Sequence, residues 1–199
     1  MAEGDALLIV DVQRDFTPGG ALPAPDGDQV VPALNEYARR FAARGLPLFA
    51  SRDWHPEKTA HFEQFGGPWP PHCVQNTPGA EFHPDLALPD STEVVSKGMD
   101  PGDHGYSAFE ATLHDGRSLN RALEDAAVRR LFVGGIATDY CVHASVLDAA
   151  KNGYHPVLLL DAIKGIDVER GDVARAMDEM LRAGARTATL ASVEAELDG

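Results

Sequence analysis

The sequence predicts an α/β protein: a three-layer, Rossmann-like fold in which a six-stranded parallel sheet is flanked by helices. Short apolar runs alternate with segments of helical periodicity along most of the chain, the pattern of parallel strands joined by crossover helices. The run Ala6-Leu7-Leu8-Ile9-Val10 is apolar without alternation, as expected of a strand covered on both faces. Gly45 and Gly184 directly follow two of the helical segments, where a left-handed C-cap is favoured.

Taken in order, the first strand spans 6–12 and delivers Asp11 at its end, and 13–20 is a loop. Residues 30–44 form a helix, with Val30, Leu34, Tyr37, Ala38 and Phe41 at helical spacing. A second strand at 47–51 runs into Arg52-Asp53, and a third at 93–96 ends at Lys97-Gly98. A helix at 119–128 precedes the fourth strand, 131–137, which leaves through Gly134-Gly135 toward Cys141. The helix that begins there places Val142, Val146, Ala149 and Ala150 on one face. A strand at 155–160 ending at Asp161, a helix at 168–183 and a strand at 187–190 complete the pattern. The alternation breaks at 54–90, a Pro-rich stretch where a crossover helix is expected. Its Trp54, Phe62, Phe65, Trp69 and Phe82 are too many aromatics for a disordered tail, so an ordered functional loop is expected.

Length and composition narrow the function. A chain of 199 residues suits one domain, here taken as 1–199, with a substantial core. Lys plus Arg number 17 and Asp plus Glu 31, a net charge of −14. That surface has no electrostatic footprint for nucleic acid or an anionic membrane. With two cysteines, Cys73 and Cys141, a disulfide-stapled secreted domain is not expected. The acidic start lacks a signal-peptide pattern and no apolar run approaches a membrane span. A cytoplasmic protein is therefore expected. Whether it forms a homo-oligomer is left open.

The polar residues at the strand ends carry the chemistry. Asp11, Asp53 and Lys97 close the first three strands and Cys141 lies just past the fourth. Ligands of an open parallel sheet bind outside the carboxyl ends of the strands. Each residue has a plainer explanation alone, but four from distant segments converge on one edge. A cysteine in a helix's first turn is expected to favour its thiolate. Asp11 could accept the thiol proton and Lys97 could stabilise the charges and hold Asp11. His143, two positions from Cys141, should face elsewhere on a helix. A second cluster, Asp53, His55, His61 and His72, offers oxygen and nitrogen donors for a divalent metal: Zn²⁺, with Fe²⁺ or Mn²⁺ as alternatives. Cys73 is set aside, because its adjacency to His72 makes joint ligation of one ion awkward.

Six motifs in order resemble the nicotinamidase/pyrazinamidase group of the isochorismatase-like cysteine hydrolases. They are Asp11-Val12-Gln13-x-Asp15-Phe16, Asp53-Trp54-His55-Pro56, Trp69-Pro70-Pro71-His72-Cys73, Lys97-Gly98, Tyr106-Ser107-x-Phe109 and Gly135-Ile136-Ala137-Thr138-Asp139-Tyr140-Cys141-Val142. The resemblance implies a triad of Asp11, Lys97 and Cys141, and metal ligation by Asp53, His55 and His72 with His61 beside them as a fourth. It implies an oxyanion hole from the amides of Ala137 and Cys141, with a cis peptide before Ala137. Phe16, Trp69, Tyr106 and Ile136 would line a ring pocket. The implied reaction is hydrolysis of a small carboxamide, nicotinamide or pyrazinamide, through a cysteine thioester, with the metal orienting the ring.

Three rivals stand beside this. One is a related hydrolase acting on isochorismate, N-carbamoylsarcosine or ureidoacrylate; the histidine cluster argues against it. Another is an inactive binding protein on the same fold; the intact Asp11, Lys97 and Cys141 argue against that. A nucleotide-binding Rossmann domain is discarded, because Asp11-Val12-Gln13-Arg14-Asp15 contains no Gly-x-Gly-x-x-Gly.

Overall fold

The computed structural model describes residues 2–103 and 105–193. Its sheet has seven strands: β1 (Asp5–Val10), β2 (Leu48–Asp53), β3 (Thr92–Lys97), β4 (Thr112–Leu113), β5 (Arg130–Ile136), β6 (His155–Lys164) and β7 (Arg186–Ala188). Their spatial order is β4-β3-β2-β1-β5-β6-β7. The six expected strands are present and parallel to their expected neighbours. The expected total of six is corrected to seven by β4, which pairs antiparallel to β3 through Val95–Leu113 and Ser96–Thr112. Two residues are too few to show a period.

The helices are α1 (Val30–Ala42), α2 (Leu119–Asp125), α3 (His143–Lys151) and α4 (Asp172–Arg182). Successive residues of a strand face opposite sides, and β1 splits its side chains accordingly. Leu7 and Ile9 join a core with Leu34, Tyr37 and Phe41 of α1. Ala6, Leu8 and Val10 join the other with Leu119 and Leu123 of α2, Val146 of α3 and Met180 of α4. The 54–90 stretch completes the α1 layer. Its Cys73, Ala80 and Leu86 are buried in that core, with Trp54, Phe82 and Leu88 packed against it.

Two helices are shorter than expected. α4 begins at Asp172 because residues 165–171 form a separate strap after β6. α2 stops at Asp125, where Ala127 turns left-handed at φ 51°. β6 does not stop at Asp161 but continues to Lys164 past a register shift against β5. The Asp161 carboxylate is spent on structure, accepting from the Tyr37 hydroxyl at 2.9 Å and the Leu190 amide at 2.8 Å.

Strand order reverses between β1 and β5, whose paired residues run from Asp5–Arg130 to Val10–Gly135. That switch point opens a crevice beyond the carboxyl ends. β2 and β3 put Asp53 directly beside Lys97.

Candidate active site

Asp11 leaves β1 in a left-handed conformation, φ 49°, which turns its carboxylate into the crevice. The Ser51 hydroxyl donates to Oδ1 at 2.7 Å, and Lys97 Nζ lies 2.8 Å from Oδ2. The same ammonium donates to Asp53 Oδ1 and the Gly105 carbonyl, and stands 3.5 Å from Cys141 Sγ. Asp11, Asp53, Lys97 and Cys141 are all buried. An Asp11 oxygen lies within 4.8 Å of the Cys141 sulfur. Oδ2 is buried and has the Lys97 ammonium beside it but no hydrogen-bond partner.

Cys141 sits in a π-helical turn, Thr138–Val142, ahead of α3. The Ala137 carbonyl accepts from the amides on either side of Cys141, Tyr140 at 3.1 Å and Val142 at 3.0 Å. The Ile136–Ala137 peptide is cis, as the resemblance implied. His143 turns away and pairs with Glu179 on α4 at 2.9 Å.

The expectation that the helix start favours the thiolate is corrected. Burial raises the Cys141 thiol well above its ordinary value; Lys97 pulls it down, but Asp11 and Asp53 add to the rise. Taking the thiolate's charge out of water disfavours it. Burial also raises Asp11, against the pull of Lys97. Lys97 is opposed by its own burial, but Asp11 and then Asp53 hold its pKa well above the usual lysine value. For Asp53, burial works upward, yet Lys97 and His55 keep it below the carboxylate range.

His55, His61 and His72 present ring nitrogens within 4.8 Å of one another. Hydrogen bonds fix two of the rings. His55 Nδ1 meets the Gly98 carbonyl at 3.1 Å and His72 Nδ1 the Pro70 carbonyl at 2.8 Å. A carbonyl only accepts, so each Nδ1 carries the proton and each Nε2 offers a lone pair. Those Nε2 atoms lie 3.5 and 3.9 Å from Asp53 Oδ2. His55 Nε2 is buried without a hydrogen bond. Burial and the neighbouring imidazoles push His61 down to about 3, and burial lowers His72; both rings are neutral near neutral pH. An orphaned buried nitrogen, three convergent imidazoles and a carboxylate fit a divalent cation. Gly98 makes room for this: a Cβ there would overlap the His55 ring.

Cys141, Asp53, His61 and His72 line one cleft. Phe16, Trp69, Tyr106 and Ile136 line it as expected, and so do Leu22, Tyr140 and Ile166. Trp69 Nε1 donates to the Tyr106 hydroxyl at 2.8 Å, and the Trp69 and Tyr140 rings meet edge-on at 5.1 Å.

The isochorismatase domain profile matches residues 5–193. The chain belongs to the isochorismatase family. Within that family it is 39% identical to the nicotinamidase of Escherichia coli (strain K12), over 95% of this chain and 96% of that protein. The zinc complex of a Pyrococcus horikoshii pyrazinamidase superposes with a TM-score of 0.86 at 46% identity, covering 94% of this chain and 99% of that one. A nicotinate complex from L. infantum gives 0.82 at 33%, covering 96% and 94%.

Several contributors to this isochorismatase-family site escaped sequence reasoning. Gln13 Nε2 donates to the Asp53 and Ala80 carbonyls at 2.8 and 2.9 Å, and its Oε1 accepts from the Asp53 amide at 2.7 Å. It clamps the end of β2 to the loop. Tyr140 and Ile166 gave no periodic signal as cleft residues. The signal for Gln13 was its place in the Asp11-Val12-Gln13 strand exit. His104 lies outside the described residues.

Proposed function

We propose that this chain is a nicotinamidase that hydrolyses nicotinamide, and pyrazinamide, to the carboxylic acid and ammonia through a thioester on Cys141. The observation that carries the reading is that Lys97 joins Asp11 and Asp53 to Cys141, three imidazoles gather beside them, and Cys141, His61 and His72 line one apolar cleft. The nicotinamidase and pyrazinamidase relatives support it.

Asp11 takes the thiol proton as Sγ attacks the carboxamide carbon, and the C=O π pair moves onto oxygen. The amides of Ala137 and Cys141 are assigned to that oxyanion; such donors typically contribute about 10²–10³ in rate. Lys97 holds Asp11 and offsets the charge of the sulfur while it is a thiolate. The proton on Asp11 passes to the amide nitrogen as the C–N bond breaks, and ammonia leaves. Asp11, again a carboxylate, takes a proton from water as the oxygen attacks the thioester. The C–S bond then breaks, the sulfur regains the proton, and the acid departs. A divalent ion held by Asp53, His55, His72 and His61, Zn²⁺ with Fe²⁺ or Mn²⁺ as alternatives, would supply a Lewis-acid site for the pyridine nitrogen; zinc in the P. horikoshii complex supports that choice. Phe16, Trp69, Tyr106 and Ile136 confine the ring, which keeps the carboxamide near the sulfur.

The test is ammonia release from nicotinamide and benzamide, before and after chelation. Nicotinamide turnover that falls on chelation, with benzamide poor throughout, is expected. Equal hydrolysis of both by metal-free protein would remove the metal from the reading and reopen the substrate.

A further inference from the structure

A strap, residues 165–171, joins β6 to α4 beside the cleft. We infer that Asp139 is the positioning residue that latches this strap, and that Ile166 thereby limits the size of ring the cleft accepts. The inference deepens the nicotinamidase reading, on which it rests for the substrate's place.

Asp139 belongs to the π-helical turn that carries Cys141. Both its carboxylate oxygens are taken by the strap's backbone: the Ile166 amide donates to Oδ1 at 2.9 Å and the Asp167 amide to Oδ2 at 2.7 Å. Hydrogen bonds to an ionised acceptor are roughly twice as strong as neutral ones. The approach is close enough that a Cβ at Gly165 would overlap Val173 and press on Asp139 Oδ1. At its far end the strap is tied by a second carboxylate. Asp167, left-handed at φ 56°, accepts from the amides of Gly171 at 3.0 Å and Val173 at 3.1 Å.

Val168 is 61% exposed. Ile166 is the strap residue that packs on the core, and it lines the cleft together with Cys141, Tyr140 and Phe16. The nucleophile's own turn therefore sets how far Ile166 reaches over the ring. A methylene more or less in an apolar pocket discriminates substrates by roughly 10–200-fold, so this side chain is placed to exclude enlarged rings.

The experiment compares kcat/KM for nicotinamide with that for 5-methyl- and 6-methylnicotinamide and quinoline-3-carboxamide. Ile166→Ala should raise the ratio for at least one enlarged ring over nicotinamide by about 10-fold or more. Asp139→Ala should shift the same ratio in the same direction, and Asp139→Asn, which keeps one acceptor oxygen, should fall between. A merely structural role for Asp139 would lower kcat on every amide alike and leave the ratio where it was. A second arm does not depend on hydrolysis. In a Cys73→Ala background, alkylation of Cys141 by N-phenylmaleimide relative to iodoacetamide should rise in both variants. Wild-type protein inert on nicotinamide would defeat the functional reading and leave this arm to decide the latch. Ratios unchanged in Ile166→Ala, which keeps the backbone latch and needs no refolding of the turn, would overturn the inference.

Discussion

Lys97 joins the two halves of the site, because one buried ammonium meets Asp11, Asp53 and the Cys141 sulfur. Its removal strands two buried carboxylates, and breaking a buried ion pair destabilises by about 3–5 kcal/mol. Lys97→Ala should therefore lose stability in urea unfolding as well as turnover. Asp11→Asn is nearly isosteric and isolates the chemistry. It should lower ammonia release by about 10² or more, the usual scale for an acid–base partner, and slow alkylation of Cys141 by iodoacetamide. An unchanged alkylation rate would remove Asp11 from thiol activation. Cys141→Ala should abolish hydrolysis and Cys73→Ala keep substantial turnover, since Cys73 lies in the core with its backbone amide on Asp15 at 2.7 Å. Gly98→Ala tests the proposed metal site without replacing any of its donors. It should displace the His55 ring and lower bound metal in elemental analysis, whereas full metal content would show that the ring can be accommodated elsewhere.

Among the elements, the 54–90 stretch stands where a crossover helix is expected and brings His55, His61 and His72 together. Phe62 is fully buried within it, its ring 5.5 Å from those of His55 and His72 and 6.3 Å from that of His61. An isolated bridge pairs Phe62 with Trp69, and another pairs His55 with Val74. Phe62→Ala should cost about 3–5 kcal/mol, the range for emptying a buried aromatic site, and lower metal content although Phe62 is no ligand. Phe62→Leu should keep most of both in denaturation and elemental analysis. Such an element is visible in sequence only as aromatics among prolines, because its order comes from contacts across the chain rather than from a period. The parallel strands were legible for the opposite reason: burial on both faces writes a continuous apolar run, as in Leu7 to Val10. Chemistry-bearing residues were legible where they end such runs, as Asp11, Asp53 and Lys97 do. Where function rests on backbone geometry, the sequence was silent or misleading. The π-helical turn at Thr138–Val142 looked like the first turn of α3, and residues 168–171 of the strap looked like the start of α4. Burial of the thiol, which raises its pKa against the expected direction, comes from its place in the core cluster with Val10, Ala108 and Val146 and has no local signature.

On the scale of the whole molecule, the proposed cation would tie the end of β2 to the loop that follows it. Asp53 ends β2, while His55, His61 and His72 are distributed through the loop that returns to β3. In the unfolded chain these donors are not assembled, so an ion that binds them binds the folded state selectively. Linkage then requires that binding raise stability by RT ln(1 + [L]/Kd), about 2.7 kcal/mol at a free concentration of 100 Kd. For a chain of 199 residues, 1 kcal/mol moves the thermal midpoint by roughly 2–4 °C. Zn²⁺ at that excess should therefore raise the melting temperature of metal-stripped protein by about 5–10 °C. His55→Ala with His72→Ala should abolish the rise, and His61→Ala should reduce it less, because water can take an open zinc position. The same titration in Cys141→Ala should give the full wild-type rise, since the sulfur is outside the imidazole cluster. Differential scanning calorimetry of the four proteins with and without Zn²⁺ separates metal binding from catalysis. An equal rise in the double histidine variant would place the stabilising ion somewhere other than between His55, His72 and Asp53.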